Sequence, residues 1–565
     1  MKKLFAMLTA LALVVSLVGC GSSSNSGAST SNLHWEEYDK MIADIRTESD
    51  LAKRAELMHE AEDKLMDTWC VLPIFYYNDT FMMKDYMKGV VTTKFGMKFF
   101  NTAKLENGAK KANIMLASEP DYLDPALNSS VDGGCLASNS FEGLLTYNSK
   151  EKLVPACAEK YEVSKDGTTY TFTMRDGLKW SNGKKLDAKD FVYSWKRAAS
   201  AETAADYAYL YEIFADCQYD DDGNFTGLGE ESVVASEDGK TLTVKLNGVC
   251  PYFLDLCAFP AFFPVYEETV TANNPDGTTP GGWCTDAGDS FVCNGPYVLK
   301  SWSHDEQMVY VKNEHYRDPK SVSIGTLNFM LSSNDTAVYA AYQAGNLDFI
   351  DTVPTDELAK LLKKKNKELH VVDQLGTNYV CFNYKSSIFS DLGLDEEQAA
   401  KFRHALCLLI DRDTIIKNVG LTGQTPATSF IPAAASDGNG GTFHNKDYYQ
   451  IKDYQKNVDE ARKLLEEAGF TFKDDGTMNE TVSFTYITND SGGNVKVAEA
   501  LQADFAQVGI DMKIETEEWN VFLEDRKAGN YDVARGGWIM DYDDPINMLE
   551  MWTTNSGNND CQFGR

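Results

Sequence analysis

Residues 166–195, DGTTYTFTMRDGLKWSNGKKLDAKDFVYSW, carry the clearest fold signals in the sequence. An Asp-Gly turn leads into residues 169–174, where Thr alternates with Tyr, Phe and Met, as in a half-buried strand. A second alternating strand, residues 241–246, follows another Asp-Gly turn, and residues 188–199 predict a helix between the two. This mixture of strands and helices favours an α/β body over a sandwich or a helical bundle.

The same mixture continues on both sides of this stretch. Two amphipathic helices are predicted within residues 38–65, with Ser49-Asp50 as an N-cap between them, and an apolar strand follows at 71–76. Later, a helix at 495–508 leads into an alternating strand at 510–514. At 565 residues, the chain is long enough for three to four domains or one large body with several lobes.

The charge balance excludes some classes of partner. The chain has 53 basic and 85 acidic residues, a formal net charge of −32 and a pI near 4.6. Such a charge repels phosphate backbones and anionic membrane surfaces, so nucleic-acid binding is not expected.

The first residues indicate export and lipid attachment. Lys2 and Lys3 precede an apolar run over residues 4–18, and Leu-Val-Gly-Cys ends this run at Cys20. A Gly/Ser/Asn-rich stretch, residues 21–32, follows directly. The pattern predicts cleavage before Cys20, a lipid on its sulfur and a flexible tether; the alternative is a chance Cys after an ordinary signal peptide. The mature protein is expected at the extracytoplasmic face of the membrane.

Cysteine and histidine give no sign of catalysis or metal binding. Apart from Cys20, the sequence has eleven cysteines. Two pairs, Cys284/Cys293 and Cys250/Cys257, are close enough in sequence to close small disulfide loops. No pair has CxxC spacing, the seven histidines are scattered, and neither HExxH nor GxSxG occurs. We therefore expect structural cysteines, no catalytic residues, no metal and no cofactor.

Several motifs together, mostly in the same order, resemble a known family. The 166–195 stretch is the most specific, and the others are SEPDYLDP at 118–125, FEGLL at 141–145, NGPY at 294–297, GNLD at 345–348, RHAL at 403–406 with IDR at 410–412, and GW at 537–538 with DYDDP at 541–545. On these motifs the chain is similar to the bacterial extracellular solute-binding proteins of family 5, the receptors of peptide ABC importers.

The resemblance implies a periplasmic-binding-protein-like fold of type II, with two lobes closing on a cleft and an extra domain. It implies a monomeric, non-enzymatic receptor that captures extracellular oligopeptides and delivers them to a permease with ATPase subunits. Because one scaffold serves many cargoes, the alternatives are a dipeptide, a nickel chelate, haem or an oligosaccharide. More remote alternatives are an enzyme-like lipoprotein and a structural or chaperone-like surface protein.

The order of the motifs departs from the family at both ends. Segments similar to the family's C-terminal part stand at the front of this chain, within residues 38–90, ahead of the family's first strand near Asn113. We therefore expect a circular permutation, with the old termini joined through the polar residues 104–111 and new ends near the loop-like residues 553–560. A gene fragment or a sequence assembled in the wrong order would give the same string.

This order predicts lobes that are assembled from separate segments. They are a signal peptide at 1–19, a lipid-anchored linker at 20–32, a C-terminal-type segment of lobe III at 33–73, lobe I at 74–140 with the joined termini near 104–112, lobe II at 141–261, the rest of lobe I at 262–374, and the rest of lobe III at 375–565.

The resemblance also implies a ligand site. Asp541 occupies the position of the carboxylate that receives a peptide's ammonium group, three residues after Trp538; the alternative is an Asp that caps the following turn. Trp538 is expected to wall the pocket, and Gly537 to let ligand backbone approach closely. The remaining expected ligand-binding residues are Arg535, Tyr379, Tyr207 and Val131. Arg535 has two alternatives, an exposed side chain and an internal ion pair.

Overall fold

A computed structural model describes residues 33–116 and 119–565. The predicted signal peptide at 1–19, the linker at 20–32 and the lipidation site at Cys20 lie outside the described residues. The predictions for the rest of the chain are compared with the structure below.

The strands account for every alternating segment predicted from the sequence. They are β1 (Val71–Met83), β2 (Met87–Lys88), β3 (Val91–Thr92), β4 (Lys98–Phe99), β5 (Lys104–Leu105), β6 (Lys111–Met115), β7 (Leu145–Tyr147), β8 (Leu153–Pro155), β9 (Ala158–Val163), β10 (Thr169–Met174), β11 (Cys217–Tyr219), β12 (Phe225–Leu228), β13 (Val233–Ala235), β14 (Thr241–Lys245), β15 (Tyr297–Ser303), β16 (Gln307–Lys312), β17 (Thr326–Met330), β18 (Phe349–Ile350), β19 (Leu369–Phe382), β20 (Thr425–Pro426), β21 (Val482–Asn489), β22 (Ile510–Glu517) and β23 (Val533–Ile539).

The predicted helices are also present. The α-helices are α1 (Trp35–Thr47), α2 (Leu51–Asp67), α3 (Val131–Ser140), α4 (Ala188–Ala199), α5 (Phe253–Leu256), α6 (Glu267–Ala272), α7 (Asp335–Gln343), α8 (Thr355–Lys364), α9 (Ile388–Asp391), α10 (Glu396–Leu409), α11 (Arg412–Ile415), α12 (Tyr454–Glu467), α13 (Gly492–Ala506), α14 (Trp519–Ala528) and α15 (Ile546–Glu550).

The 166–195 stretch folds as its pattern predicts. β10 pairs antiparallel with β14, and Tyr170, Phe172 and Met174 point to the buried side of a four-stranded sheet ordered β13-β14-β10-β9. A capping box between Asp187 and Asp190 begins α4. This local structure anchors the region that was predicted as lobe II.

A mixed eleven-stranded sheet connects the other two predicted lobes. Its order is β15-β16-β17-β6-β18-β1-β19-β23-β21-β22, with β20 also paired to β1. The two longest strands, β1 and β19, lie antiparallel at its centre, and their register shifts between Pro73 and Phe75 and again between Tyr76 and Asn78. The predicted boundaries at 73/74 and 374/375 fall within these two strands, and both boundaries stay predictions.

The leading helices pack directly against the last residues of the chain. The indole N–H of Trp35 donates to the carbonyl of Trp552 at 2.9 Å, and the Tyr38 hydroxyl donates to the carbonyl of Leu549 at 2.8 Å. The rings of Trp35 and Phe563 stack with centroids 4.1 Å apart. Residues 33–67 and 540–565 therefore belong to one folded unit.

The circular permutation stays a prediction. The expected junction at 104–111 passes from β5 to β6 through a short polar turn. The segment 553–560 contains no helix or strand, as expected, but half of its residues are buried, including Ser556 and Asn559. The segment is therefore loop-like as predicted, although part of its polar groups form hydrogen bonds inside the protein.

The cysteines are free thiols within the described residues. Ten are buried and Cys217 is partly exposed. The loop disulfides considered for Cys284/Cys293 and Cys250/Cys257 are not formed; Cys381 and Cys561 are a close buried pair, with their sulfur atoms 3.4 Å apart. These side chains pack as small apolar groups, which agrees with the expected structural role.

Candidate functional site

A cavity of about 460 Å³ lies where the three predicted lobes meet. Val131 at the start of α3 lies on one side, Tyr207 of the predicted lobe II on another, and the end of β23 on a third. Six of the seven predicted ligand-binding residues line it: Val131, Tyr207, Arg535, Gly537, Trp538 and Asp541. Segments far apart in sequence are therefore brought to one concave surface.

Asp541 is held by neutral hydrogen-bond donors. The side-chain N–H of Asn547 donates to its Oδ2 at 2.9 Å, and the Tyr207 hydroxyl donates to its Oδ1 at 3.2 Å. Asn547 also accepts from the Trp538 indole N–H at 3.0 Å and from the Asp541 backbone N–H at 3.1 Å. The amide of Asn547 thus fixes both the carboxylate and the indole, so Asp541 does more than cap a turn.

The Asp541 carboxylate has no cationic partner among the described residues. Burial raises its pKa to about 7, although the hydrogen bonds from Asn547 and Tyr207 act in the opposite direction and Glu550 raises it further. Asp541 is thus a partly buried carboxylate without a paired cation at the edge of the cavity.

Two tyrosine side chains pack so closely against the backbone of β23 that glycine is required at two of its positions. A Cβ on Gly537 would lie 2.3 Å from the Tyr77 hydroxyl, and one on Gly536 would lie 2.1 Å from the Tyr379 ring. Only glycine fits at these two positions, because a side chain at either would clash with one of the two tyrosines that pack against the strand. Gly537 lies on the cavity wall, whereas Gly536 is covered by Tyr379.

Tyr379 does not line the cavity. It pairs with Gly536 in the sheet, and its ring packs at the edges of Phe430 and Trp552, with centroids 5.2 and 6.0 Å away. Its side chain therefore points to the buried face of β19 opposite the cavity. The structure places this predicted ligand contact in the core, where it supports the strand that carries the site.

Arg535 lies in the cavity wall without an acidic partner in the described part of the chain. Its Nη2 donates to the Tyr77 hydroxyl at 3.0 Å, and its buried Nε atom makes no hydrogen bond. Asn378 donates to the same hydroxyl at 3.0 Å. Arg535 therefore does not form the internal ion pair that was one of the two alternatives considered from the sequence.

The sequence profile described as bacterial extracellular solute-binding proteins, family 5 Middle, matches residues 152–560. The chain belongs to this family. The solute-binding protein is 33% identical to the oligopeptide-binding protein OppA of Bacillus subtilis over 467 residues, which cover 81% of this chain and 80% of the relative.

Solved structures give the same fold. The structure of the Escherichia coli murein tripeptide binding protein MppA is 29% identical and superposes with a TM-score of 0.72, covering 81% of this chain and 84% of that one. A crystal structure of Haemophilus influenzae OppA in complex with the peptide RPPGFSPFR is 28% identical, with a TM-score of 0.69 and coverage of 81% and 85%. The predicted family and the predicted type II fold with an extra domain are confirmed.

Membership in this family makes the chain a relative of binding proteins rather than of enzymes. No group of three or more His, Cys, Asp or Glu in residues 33–116 and 119–565 is arranged to hold a metal ion. Over the same ranges, none of the helices has both the length and the apolar character to cross a bilayer.

One group of charged residues in the solute-binding protein was missed by the sequence analysis. Lys98 is buried, and its Nζ lies 3.1 Å from Asp79 and 3.0 Å from Asp351 at the cavity wall. The two aspartates come from β1 and from the residue after β18. They are 272 positions apart in the chain, so no local sequence pattern predicts that they lie together.

A second missed group lies beside the last residues. Arg526 forms an ion pair with Asp560 at 3.3 Å, and Lys527 forms one with Asp206 at 2.7 Å. Asp206 precedes Tyr207, so this second pair joins the predicted lobe II to the predicted lobe III across the cavity rim. The only feature of the sequence that pointed to this pair was Tyr207, the neighbour of Asp206, which was predicted to bind the ligand.

Proposed function

We propose that this protein is the substrate-binding receptor of a peptide ABC importer and that it captures extracellular oligopeptides. The observation that carries the proposal is the partly buried Asp541 carboxylate, which has hydrogen-bond donors but no cation among the described residues and borders the cavity. The free ammonium end of a peptide has the charge that this group lacks. The names of the relatives, OppA of Bacillus subtilis and MppA of Escherichia coli, support the same cargo class.

The remaining predicted residues suit an extended peptide. Trp538 and Tyr207 offer aromatic walls, with ring centroids 6.2 Å apart, and the backbone of Gly537 lies on the cavity wall between them and Arg535. Val131 begins α3 beside the cavity, where neighbouring backbone groups can form strand-like bonds with a ligand. Arg535 lines the cavity and has no salt-bridge partner in the described part of the chain, so its guanidinium suits a peptide carboxylate.

Capture is proposed to proceed by closure of the lobes. A peptide bound between Tyr207 and Asp541 touches two lobes at once, so binding favours the closed state. The long strands β1 and β19 run between lobes, and the register shifts near Pro73 and Tyr76 are suitable hinge positions.

Delivery requires a location at the outer face of the membrane. Relatives carry names of periplasmic binding proteins, and we infer a lipid anchor on Cys20, a monomeric receptor, and transfer to a permease with cytoplasmic ATPase subunits. Replacing Cys20 with Ser is expected to move the protein from the membrane fraction to the soluble extracytoplasmic fraction. Retention of this variant in washed membranes would contradict the lipid anchor.

The test of cargo is native mass spectrometry of protein purified from a peptide-rich medium. We expect a series of bound masses that denaturation releases as peptides and that tandem spectra identify. One discrete non-peptide mass, such as haem or an oligosaccharide, would overturn the peptide assignment. Protein refolded without peptide and then mixed with a defined tripeptide serves as the control for binding competence.

A further inference from the structure

Two buried thiols from distant parts of the chain lie in contact close to the cavity. The sulfur atoms of Cys381, in β19, and Cys561, in the segment after α15, are 3.4 Å apart, although the two residues are 180 positions apart in the chain. Both residues are fully buried. A disulfide bond holds its sulfur atoms at about 2.05 Å, so these two need to approach each other by only about 1.4 Å.

The backbone around both thiols holds them opposite each other. Cys381 is paired with Val71 of β1 on one side and with Ala534 of β23 on the other. The Cys561 carbonyl accepts the backbone N–H of Tyr384 at 2.9 Å. Main-chain hydrogen bonds on both sides therefore keep the two sulfur atoms in contact.

A third cysteine lies beside this pair. The Cys70 carbonyl accepts the backbone N–H of Phe382 at 2.8 Å, and it lies 3.9 Å from the Cys561 sulfur atom. Cys70 thus meets Cys561 through its main chain, whereas Cys381 meets it through sulfur. Cys381 is therefore the favoured partner, and a bond to Cys70 is the competing outcome that a test has to distinguish.

Cys561 directly follows a residue of the cavity wall. Asp560 lines the cavity and pairs with Arg526, another lining residue, at 3.3 Å. The Asp560 carbonyl accepts the Tyr531 hydroxyl at 2.6 Å, and the same hydroxyl lies 3.2 Å from the Cys381 sulfur atom. A covalent bond at Cys561 would tether this part of the wall to β19, one of the two central strands of the large sheet.

The folded protein shields both thiols from reagents in solution. A thiol reacts as its thiolate, and burial raises the pKa of Cys561 well above its ordinary value. A bond between the two is therefore expected to form while the chain folds, before residues 553–563 are packed, and to resist reduction afterwards.

We propose that Cys381 and Cys561 form a disulfide bond in the exported protein and that this bond fixes the cavity wall at Asp560. The inference goes beyond peptide binding and holds for any cargo. It needs only the extracytoplasmic location proposed above, because disulfides persist there.

The oxidant in this reaction is a second disulfide, carried by a small thiol or by a dithiol oxidoreductase. One cysteine thiolate attacks that disulfide to give a mixed disulfide, and the other cysteine thiolate then displaces the reduced oxidant. The two protons and two electrons that the cysteines lose convert the oxidant's disulfide into two thiols.

The test is peptide mapping of wild-type protein without reduction. Cells that make the full chain are denatured directly in N-ethylmaleimide, which blocks free thiols before they can oxidise, and the purified protein is digested with trypsin. Each of the three cysteines is the only one in its tryptic peptide. The peptides are residues 368–385 for Cys381, 536–565 for Cys561 and 65–84 for Cys70.

We expect the peptides of Cys381 and Cys561 to be joined in most molecules and to separate on reduction. Recovery of both as separate, alkylated peptides would overturn the proposal. A bond from either cysteine to Cys70 would also overturn it, because the assigned pair would be wrong.

A second measurement tests what the bond holds in place. In hydrogen-exchange mass spectrometry, wild type refolded with a reductant should exchange the backbone amides of residues 553–563 at least about tenfold faster than the oxidised protein, because the tether that suppresses local opening is lost. Cys561→Ala should exchange at the fast rate with and without reductant. Cys217→Ala removes a partly exposed thiol outside the pair and should behave like wild type. Equal exchange of oxidised and reduced wild type would overturn the role of the bond in the cavity wall.

Discussion

Replacement of Asp541 with Ala is expected to weaken binding of peptides with a free amino terminus by ~10²–10³-fold or more. The variant leaves the ligand ammonium group buried without a partner, which costs ~3–5 kcal/mol. The loss should appear mainly in the rate of dissociation, since a buried charge pair holds the complex after it has formed.

Calorimetry on wild type and variant checks this result, and N-acetylated peptides provide the matched ligand control. Acetylation should weaken binding to wild type strongly and to Asp541→Ala only slightly, because both changes remove the same ion pair. Asp543→Asn is the control variant, since Asp543 pairs with Lys94 and lies outside the cavity lining. Acetylated and free peptides binding wild type equally well would refute the assigned role.

The same carboxylate predicts a pH dependence. In the free protein burial raises the Asp541 pKa to about 7, and an ammonium group beside it would lower that pKa in the complex. Affinity should therefore fall as the pH drops below about 7, with uptake of a proton on release of the peptide. Peptides without ionisable side chains isolate this effect, and it should vanish in Asp541→Asn.

The second large effect is expected on stability. Arg54 of α2 forms a buried bidentate pair with Asp544, with N–O distances of 2.8 and 2.9 Å, and both side chains are almost fully buried. Arg54→Ala should lower the free energy of unfolding by ~3–5 kcal/mol, because the Asp544 carboxylate is left buried without its partner. The pair joins the leading helices to the last segment of the chain.

Urea unfolding followed by circular dichroism measures this loss. Lys53→Ala is the matched control, since the neighbouring Lys53 makes only an exposed pair with Glu48 and should leave the midpoint unchanged. Removing both partners in Arg54→Met/Asp544→Leu should recover part of the loss. Equal stability of Arg54→Ala and Lys53→Ala would show that the two segments do not depend on this contact.

Short-range patterns in the sequence predicted most of the local structure correctly. The alternation at 169–174, the capping residue Asp50 and the helix at 188–199 are set by interactions within a few residues, which a sequence displays directly. The strand that begins at Val71 was predicted too short, because its second half is held by pairing with β19 rather than by its own apolar pattern.

The sequence by itself determined the family, the α/β class and the position of Asp541 at the cavity. Motifs and turn residues can be read from it directly, because they depend on residues that are close together in the chain. Only the tertiary structure decided that Tyr379 faces the core, since β19 is buried on both faces there and has no alternation to show direction. It also decided that Asp544 is a buried ion partner and that Arg535 has none among the described residues. Those facts depend on contacts such as Arg54 to Asp544, 490 residues apart, and distance in the chain hides them from any local pattern.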